Sequence, residues 1–196
     1  MEQYFSQNPT SKHDLKECRY SFCDHQFTFI TDSGVFSKGE VDRGSDILLH
    51  SLPSLHGDVL DMGCGYGLIG IVIKKCYPDC NVVSIDINQR AVNLTRQNAL
   101  RNHVALECLQ NDGLSSLGKS FDYALINPPI RAGKETVYRL FNEIRASLSR
   151  KGKLFIVIRT KQGAKSAVEY LKTLFHAVNT IEIKSGYRIL ECIEPR

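Results

Sequence analysis

The run Val59-Leu60-Asp61-Met62-Gly63-Cys64-Gly65-Tyr66-Gly67-Leu68-Ile69-Gly70 constrains the fold more than any other stretch. A short apolar segment that stops on closely spaced glycines and resumes as an apolar helical pattern reads as strand, tight loop and helix, the opening unit of a βαβ crossover. The segment from Gly65 to Gly70 fits G-x-G-x-x-G letter by letter, and Asp86, at the end of the next apolar run, lies 21 residues after Gly65. Glycines in such a loop let a ligand approach the backbone where a side chain would block it, and a carboxylate about 20 residues on accepts ribose hydroxyls. The spacing is that of a dinucleotide fingerprint, but the motif alone does not choose the ligand.

The rest of the chain extends the alternation. Strands are expected at Asn81–Asp86, Ala105–Leu109, Phe121–Ile126 and Lys153–Arg159, with helices at Leu68–Cys76, Gln89–Arg101, Thr136–Leu148 and Ala164–Leu174. Strands alternating with helical patterns argue an α/β fold with a doubly wound, mostly parallel sheet. At the end, Val178–Lys184 and Tyr187–Cys192 flank Ser185-Gly186, a hairpin signal that makes one C-terminal strand antiparallel. Upstream, residues 1–18 are polar and read as frayed, Arg19–Cys23 and Gln26–Thr31 read as a hairpin, and Asp42-Arg43-Gly44-Ser45 starts a helix that runs through Leu52 to Pro53. The expected division is an N-terminal extension over residues 1–40, set apart as an appendage, and the α/β body over residues 41–196.

Composition narrows the classes. With 196 residues, 42% hydrophobic and 23% charged, the chain is long enough for one full core and does not read as disordered. A net charge of +4 is a mild basic bias that suits a polyanion without the signature of a dedicated nucleic-acid binder. No apolar run reaches a membrane span and the first residues carry no apolar leader, so a cytoplasmic protein with no membrane partner is expected. The seven cysteines include no C-x-x-C, and Cys76, Cys80 and His103 lack zinc spacing, so no metal is expected.

Asn127-Pro128-Pro129-Ile130 ends the strand Phe121–Ile126, at the edge where open α/β sheets bind ligands. The prolines fix their own φ, restrict the residues before them and offer no N–H. The turn is therefore rigid and rich in acceptors, the Asn127 side-chain oxygen and the Pro128 carbonyl, which suits a substrate amino group. The acid Asp61 beside the glycine loop disfavours a pyrophosphate, which it would repel, and tolerates a cationic ligand.

These motifs together resemble the class I S-adenosylmethionine-dependent methyltransferases, whose seven-stranded sheet inserts its last strand antiparallel. Asp61-Met62-Gly63-Cys64-Gly65-Tyr66-Gly67 is similar to their first motif, and the N-P-P-[IYFW] tetrad to that of enzymes acting on planar amino nitrogens. NPPIRAGK, with GVFS upstream and KQGA and GYR downstream, is similar to the catalytic domain of the RsmC-type ribosomal RNA guanine-N2 methyltransferases, the "methyltransferase small" family. The resemblance implies S-adenosylmethionine as cofactor, held by Asp61, Gly63, Gly65, Gly67, Asp86, Ile87, Asp112 and Asn127. It implies catalysis by Asn127, Pro128, Pro129 and Ile130, and RNA, as ribosomal RNA or a ribosomal particle, as partner. Phe36, Arg131, Lys134 and Lys161 are the expected substrate contacts, the aromatic ring for a base and the cations for phosphates. Characterised members of that type carry a second, degenerate methyltransferase domain ahead of the catalytic one, which this sequence is expected to lack. Methylation of a protein glutamine amide or a DNA base, a noncatalytic module on the same fold and an NAD-dependent dehydrogenase are the alternatives.

Overall fold

The computed structural model describes residue 7, residues 11–114 and residues 117–196. Its elements, in chain order, are β1 (Lys16–Phe22), β2 (His25–Thr31), α1 (Arg43–His50), β3 (Asp58–Met62), α2 (Leu68–Cys76), β4 (Asn81–Asp86), α3 (Gln89–Arg101) and β5 (Glu107–Gln110). They continue with β6 (Phe121–Ile126), a 3₁₀ turn at Ile130–Ala132, α4 (Lys134–Ser147), β7 (Leu148–Arg159), α5 (Ala164–Leu174), β8 (Phe175–Lys184) and β9 (Tyr187–Pro195).

Strands β3 to β9 form one seven-stranded sheet in the order β5-β4-β3-β6-β7-β9-β8. The β3–β4, β3–β6, β4–β5 and β6–β7 pairs are parallel, and β9 lies antiparallel between β7 and β8. The doubly wound sheet with its inverted C-terminal strand is thus as the alternation implied. Side chains alternate across it with the two-residue strand period. Val59, Leu125 and Phe155 share one buried cluster with α1, α2 and α3, while Leu60, Ala124 and Ile156 share the other with α4 and α5. Both faces are covered, which is why the central strands are almost continuously apolar.

Several boundaries lie outside the expected ones. β7 begins at Leu148, which pairs with Phe121 before the register shifts and Lys153 pairs with Tyr123. Ser149-Arg150-Lys151-Gly152 therefore stands opposite Asp122 alone, and a Cβ at Gly152 would come 2.9 Å from the Phe121 carbonyl. β8 begins at Phe175, whose side chain is fully buried and which pairs with Pro195. Of the polar leader, residues 1–6 and 8–10 lie outside the described residues, and Lys16, Glu17 and Cys18 are paired in β1 with Thr31, Ile30 and Phe29.

The β1–β2 hairpin is built onto the body. Phe27 and Phe29 are buried in the first cluster. The free edge of β2 meets two asparagines of α3 in place of a strand. Asn98 accepts from the Ile30 N–H and donates to its carbonyl, both at 2.8 Å, and Asn102 does the same for Thr28 at 3.0 and 2.9 Å. The match is geometric, because residues four apart on a helix and two apart on a strand are both separated by about 6 Å along their axes. The loop after β2 is tied down in turn, Asn88 donating to the Gly34 carbonyl at 2.8 Å and Arg90 to that of Ser33 at 2.6 Å. An extension that reads as separate in sequence therefore sets the wall of the cleft described next.

Candidate active site

The strand order reverses between β3 and β6, which opens a crevice at their C-terminal ends. Met62 pairs with Ile126, so the residues that follow, Gly63 and Asn127, emerge side by side. Beyond β3 the chain turns tightly: the Gly63 and Cys64 amides donate to the Ile85 carbonyl at 2.8 and 3.0 Å, and the Gly67 amide donates to Cys64 at 2.8 Å. Gly63 and Gly65 have φ of 75° and 59°, left-handed values that cost other residues about 1–2 kcal/mol. A Cβ at either would find no atom within 4 Å, so both face open space. Gly70 has the opposite reason, since a Cβ there would come 2.3 Å from the Ser84 hydroxyl and 2.9 Å from Asp61.

Three acids surround the loop. Asp86, at the end of β4, accepts the Gly65 and Asn88 amides at 2.9 Å through its two oxygens. Burial pushes its carboxyl up to about 6 against the pull of those amides. Asp61 lies beneath the loop, 1% exposed, its Oδ2 accepting from the Gly70 amide at 2.9 Å and the Ser84 hydroxyl at 3.3 Å. Burial drives it up to about 7, and the Asp86 charge adds to the rise. Its Oδ1 is buried and has no hydrogen-bond partner among the described residues. Asp112, after β5, pairs with Arg139 of α4, which also holds Glu143 at 2.8 Å.

On the other side, Pro129 (φ −74°, ψ 76°) is the centre of an inverse γ-turn in which the Ile130 amide donates to the Pro128 carbonyl at 2.8 Å. That carbonyl keeps its second lone pair. The Asn127 amide nitrogen donates to Asp42 Oδ2 at 3.0 Å and to Ser45 Oγ at 3.1 Å. Both of its hydrogens are thereby placed, and the side-chain oxygen is left as an acceptor.

These groups line one cavity of about 310 Å³, bordered by Gly63, Gly65, Asp86, Ile87 and Asp112 on one side and Asn127, Pro128 and Pro129 on the other, with Phe36 at its wall. Asp61 and Gly67 support the loop without lining the cavity, and Ile130, Arg131, Lys134 and Lys161 lie outside its lining. Lys134 sits 5.1 Å from the Tyr138 ring centroid. The lining residues that the motifs did not single out include Asp42, Ser45, Tyr66, Thr136 and Arg139. Asp42 was visible only as a helix start; its second duty to Asn127 spans 85 positions and has no local signal.

The residues fit S-adenosylmethionine. A Cβ at Gly63 or Gly65 would fill the space over the loop. Asp86 lines the cavity with Asp61 buried behind the loop, and a pyrophosphate beside this pair would push both carboxyls further from ionisation, whereas a sulfonium would favour their charged forms. No group of three or more His, Cys, Asp or Glu side chains among the described residues is placed to hold a metal ion. No described helix is long and apolar enough to cross a membrane.

Comparison with known proteins agrees with this geometry. A family model described as the methyltransferase small domain matches residues 26–191. The protein YbxB of Bacillus subtilis (strain 168) is 41% identical over 195 residues, 97% of each chain. A ribosomal RNA small subunit methyltransferase C of Aliivibrio salmonicida (strain LFI1238) is 31% identical over 182 residues, 89% of this chain and 52% of that one. The fold is shared with the T. thermophilus 16S rRNA N2 G1207 methyltransferase (RsmC), solved with AdoMet and guanosine, at a TM-score of 0.84 and 24% identity over 95% of this chain and 52% of that chain. The chain thus spans about half the length of these methyltransferase C relatives. By the family match across most of its length, this chain belongs to the methyltransferase small domain family of class I methyltransferases, and its cofactor is S-adenosylmethionine.

Proposed function

We propose that this methyltransferase acts on N2 of guanine in small-subunit ribosomal RNA. The observation that carries the reading is the Asn127 amide, whose NH2 end is engaged by Asp42 and Ser45, so that its oxygen end is left to accept from a donor. An exocyclic amino group is a poor nucleophile because its lone pair is delocalised into the ring. Asn127 Oδ1 and the Pro128 carbonyl accept its hydrogens, favour the pyramidal nitrogen and stabilise the positive charge that develops there, a preorganised polarity worth a few kcal/mol. S-adenosylmethionine supplies an activated methyl group and departs as a neutral thioether, so the chain needs no covalent intermediate. Asp86 would accept ribose hydroxyls, Asp112 would accept the adenine amino group, and the glycine loop would let the nucleoside lie against the backbone. The methylated nitrogen is a strong acid and releases its proton to water without a dedicated base.

The RNA assignment draws on relatives named as ribosomal RNA methyltransferases and on the guanosine bound to the solved enzyme of the same fold. Arg131, Lys134 and Lys161 would neutralise phosphates, and Phe36, 37% exposed at the cavity wall, would stack on the target base. The test is transfer of tritiated methyl from S-adenosylmethionine to 16S rRNA and to small-subunit particles, followed by nucleoside mass spectrometry. N2-methylguanosine is the expected product. Label confined to a protein glutamine or to methylated DNA bases would replace this reading, and failure to bind the cofactor in calorimetry would return the chain to the noncatalytic alternative.

A further inference from the structure

We infer that Asp42 and Ser45, at the N-terminus of α1, are positioning residues that hold the Asn127 amide in its accepting orientation and strengthen its oxygen as an acceptor. The inference rests on the proposed role of Asn127 as the amine acceptor. Asp42 is the N-cap of α1, its Oδ2 accepting from the Ser45 amide at 2.7 Å and from the Ser45 hydroxyl at 3.0 Å. The same oxygen accepts from Asn127 Nδ2, and so does Ser45 Oγ. The directions are forced. A carboxylate can only accept, so the nitrogen end of the Asn127 amide must face Asp42. Ser45 has one hydroxyl hydrogen and gives it to Asp42, so its oxygen can only accept from Asn127. A flipped amide would set its oxygen against the Asp42 carboxylate and could be met by Ser45 only if its hydroxyl left Asp42.

Charge adds to orientation. A carboxylate bonded to the NH2 end draws positive charge to that nitrogen and negative charge to Oδ1, as hydrogen bonds in a chain polarise one another. Asp42 is half-buried and Ser45 is 5% exposed, so water screens this poorly. A capping role alone explains the bond from Asp42 to the Ser45 amide and leaves both bonds from Asn127 unexplained.

Two variants separate capping from positioning. Ser45→Ala keeps the Asp42 cap and removes one acceptor for Asn127, and Asp42→Asn keeps a capping oxygen and removes the charge, since asparagine caps as well as aspartate. Each is expected to lower kcat on small-subunit particles about tenfold, with KM and cofactor Kd within about twofold, and to add almost nothing to the loss in an Asn127→Ala background. Independently of turnover, the Asn127 side-chain amide protons in ¹⁵N-labelled protein should exchange with water about tenfold faster in Ser45→Ala than in the wild type. Wild-type kcat in both single variants, losses undiminished in the Asn127→Ala background, or unchanged amide exchange would overturn the inference. Normal turnover of Asn127→Ala alone, with its amide protected in the wild type, would instead remove the reading of Asn127 on which it stands.

Discussion

Strands β3 and β6 end side by side and present polarity to the cleft in opposite ways. After Met62 the chain offers backbone: a glycine loop whose amides serve the Ile85 carbonyl and Asp86, with the carboxylates of Asp61 and Asp86 around it. After Ile126 it offers acceptors, an asparagine oxygen and a proline carbonyl, in a turn whose two prolines carry no N–H. The first side depends on φ values that glycine tolerates and on a carboxylate 21 residues further on, a spacing that the sequence motif itself carries. The second depends on a side-chain orientation set by α1, 85 positions away. One half of the cleft is built by local conformation and the other by tertiary contact, so the two should fail in different ways.

The largest effect is expected on the second side. Asn127→Ala should cut turnover by about two orders of magnitude or more while leaving cofactor affinity within about twofold, as for loss of a contact made mainly in the transition state. A variant with equal losses in affinity and turnover would break the division between the halves. On the first side the signature is pH. Asp86 and Asp61 have carboxyls raised to about 6 and about 7, so the stability they contribute to the cofactor-free protein is full below the ordinary aspartate range and is lost as pH rises through those values. Under the proposed role of ionised Asp86 as acceptor of the ribose hydroxyls, cofactor affinity should have the opposite sign and fall below about pH 6 by up to about tenfold per pH unit. Melting curves with and without S-adenosylmethionine across this range should show the stabilisation by cofactor growing with pH, and Asp86→Asn should flatten that growth.

The same contrast decides what the sequence revealed. The glycine loop, Asp86 and the proline turn are contiguous motifs whose chemistry follows from residue type, and the structure assembles them around one cavity. The sheet was legible because apolar runs and helical periods alternate, and its inverted strand because Ser185-Gly186 marks a hairpin. The role of the N-terminal hairpin was hidden, since the asparagines that clamp β2 lie on α3 and look like solvated helix polar residues until Asn98 is seen to be fully buried. Asp42 and Ser45 gave away a helix start and nothing more, because a side chain that both caps a helix and serves a distant turn shows only the local half of its work. Asp61, which the first motif marks as an acid beside the loop, also holds that loop from beneath through the Gly70 amide and the Ser84 hydroxyl, a support that the motif alone does not signal.

Two glycine substitutions sharpen the comparison with smaller effects. Gly65→Ala meets no protein atom, so its cost is the backbone strain of an alanine at φ 59°, about 1–2 kcal/mol of stability, together with a methyl group over the loop that weakens cofactor binding. Gly44→Ala, on the α1 side, has the reverse profile. Its backbone is helical and alanine is favoured there by up to about 1 kcal/mol, but the new Cβ would come 2.8 Å from the Tyr187 ring and 3.0 Å from Asp42 Oδ2. Tyr187 carries Arg159 at 4.9 Å from its ring centroid and is mostly buried, so the start of α1 must shift to clear the ring and Asp42 shifts with it. A displaced Asp42 loosens Asn127 without touching the glycine loop. Calorimetry should therefore find cofactor affinity unchanged in Gly44→Ala, with melting below the wild type from the overlap with Tyr187 and turnover reduced by about threefold to tenfold, in proportion to the loss of one hydrogen bond. Loss of affinity in this variant, or loss of turnover alone in Gly65→Ala, would show that the two sides of the cleft are mechanically one.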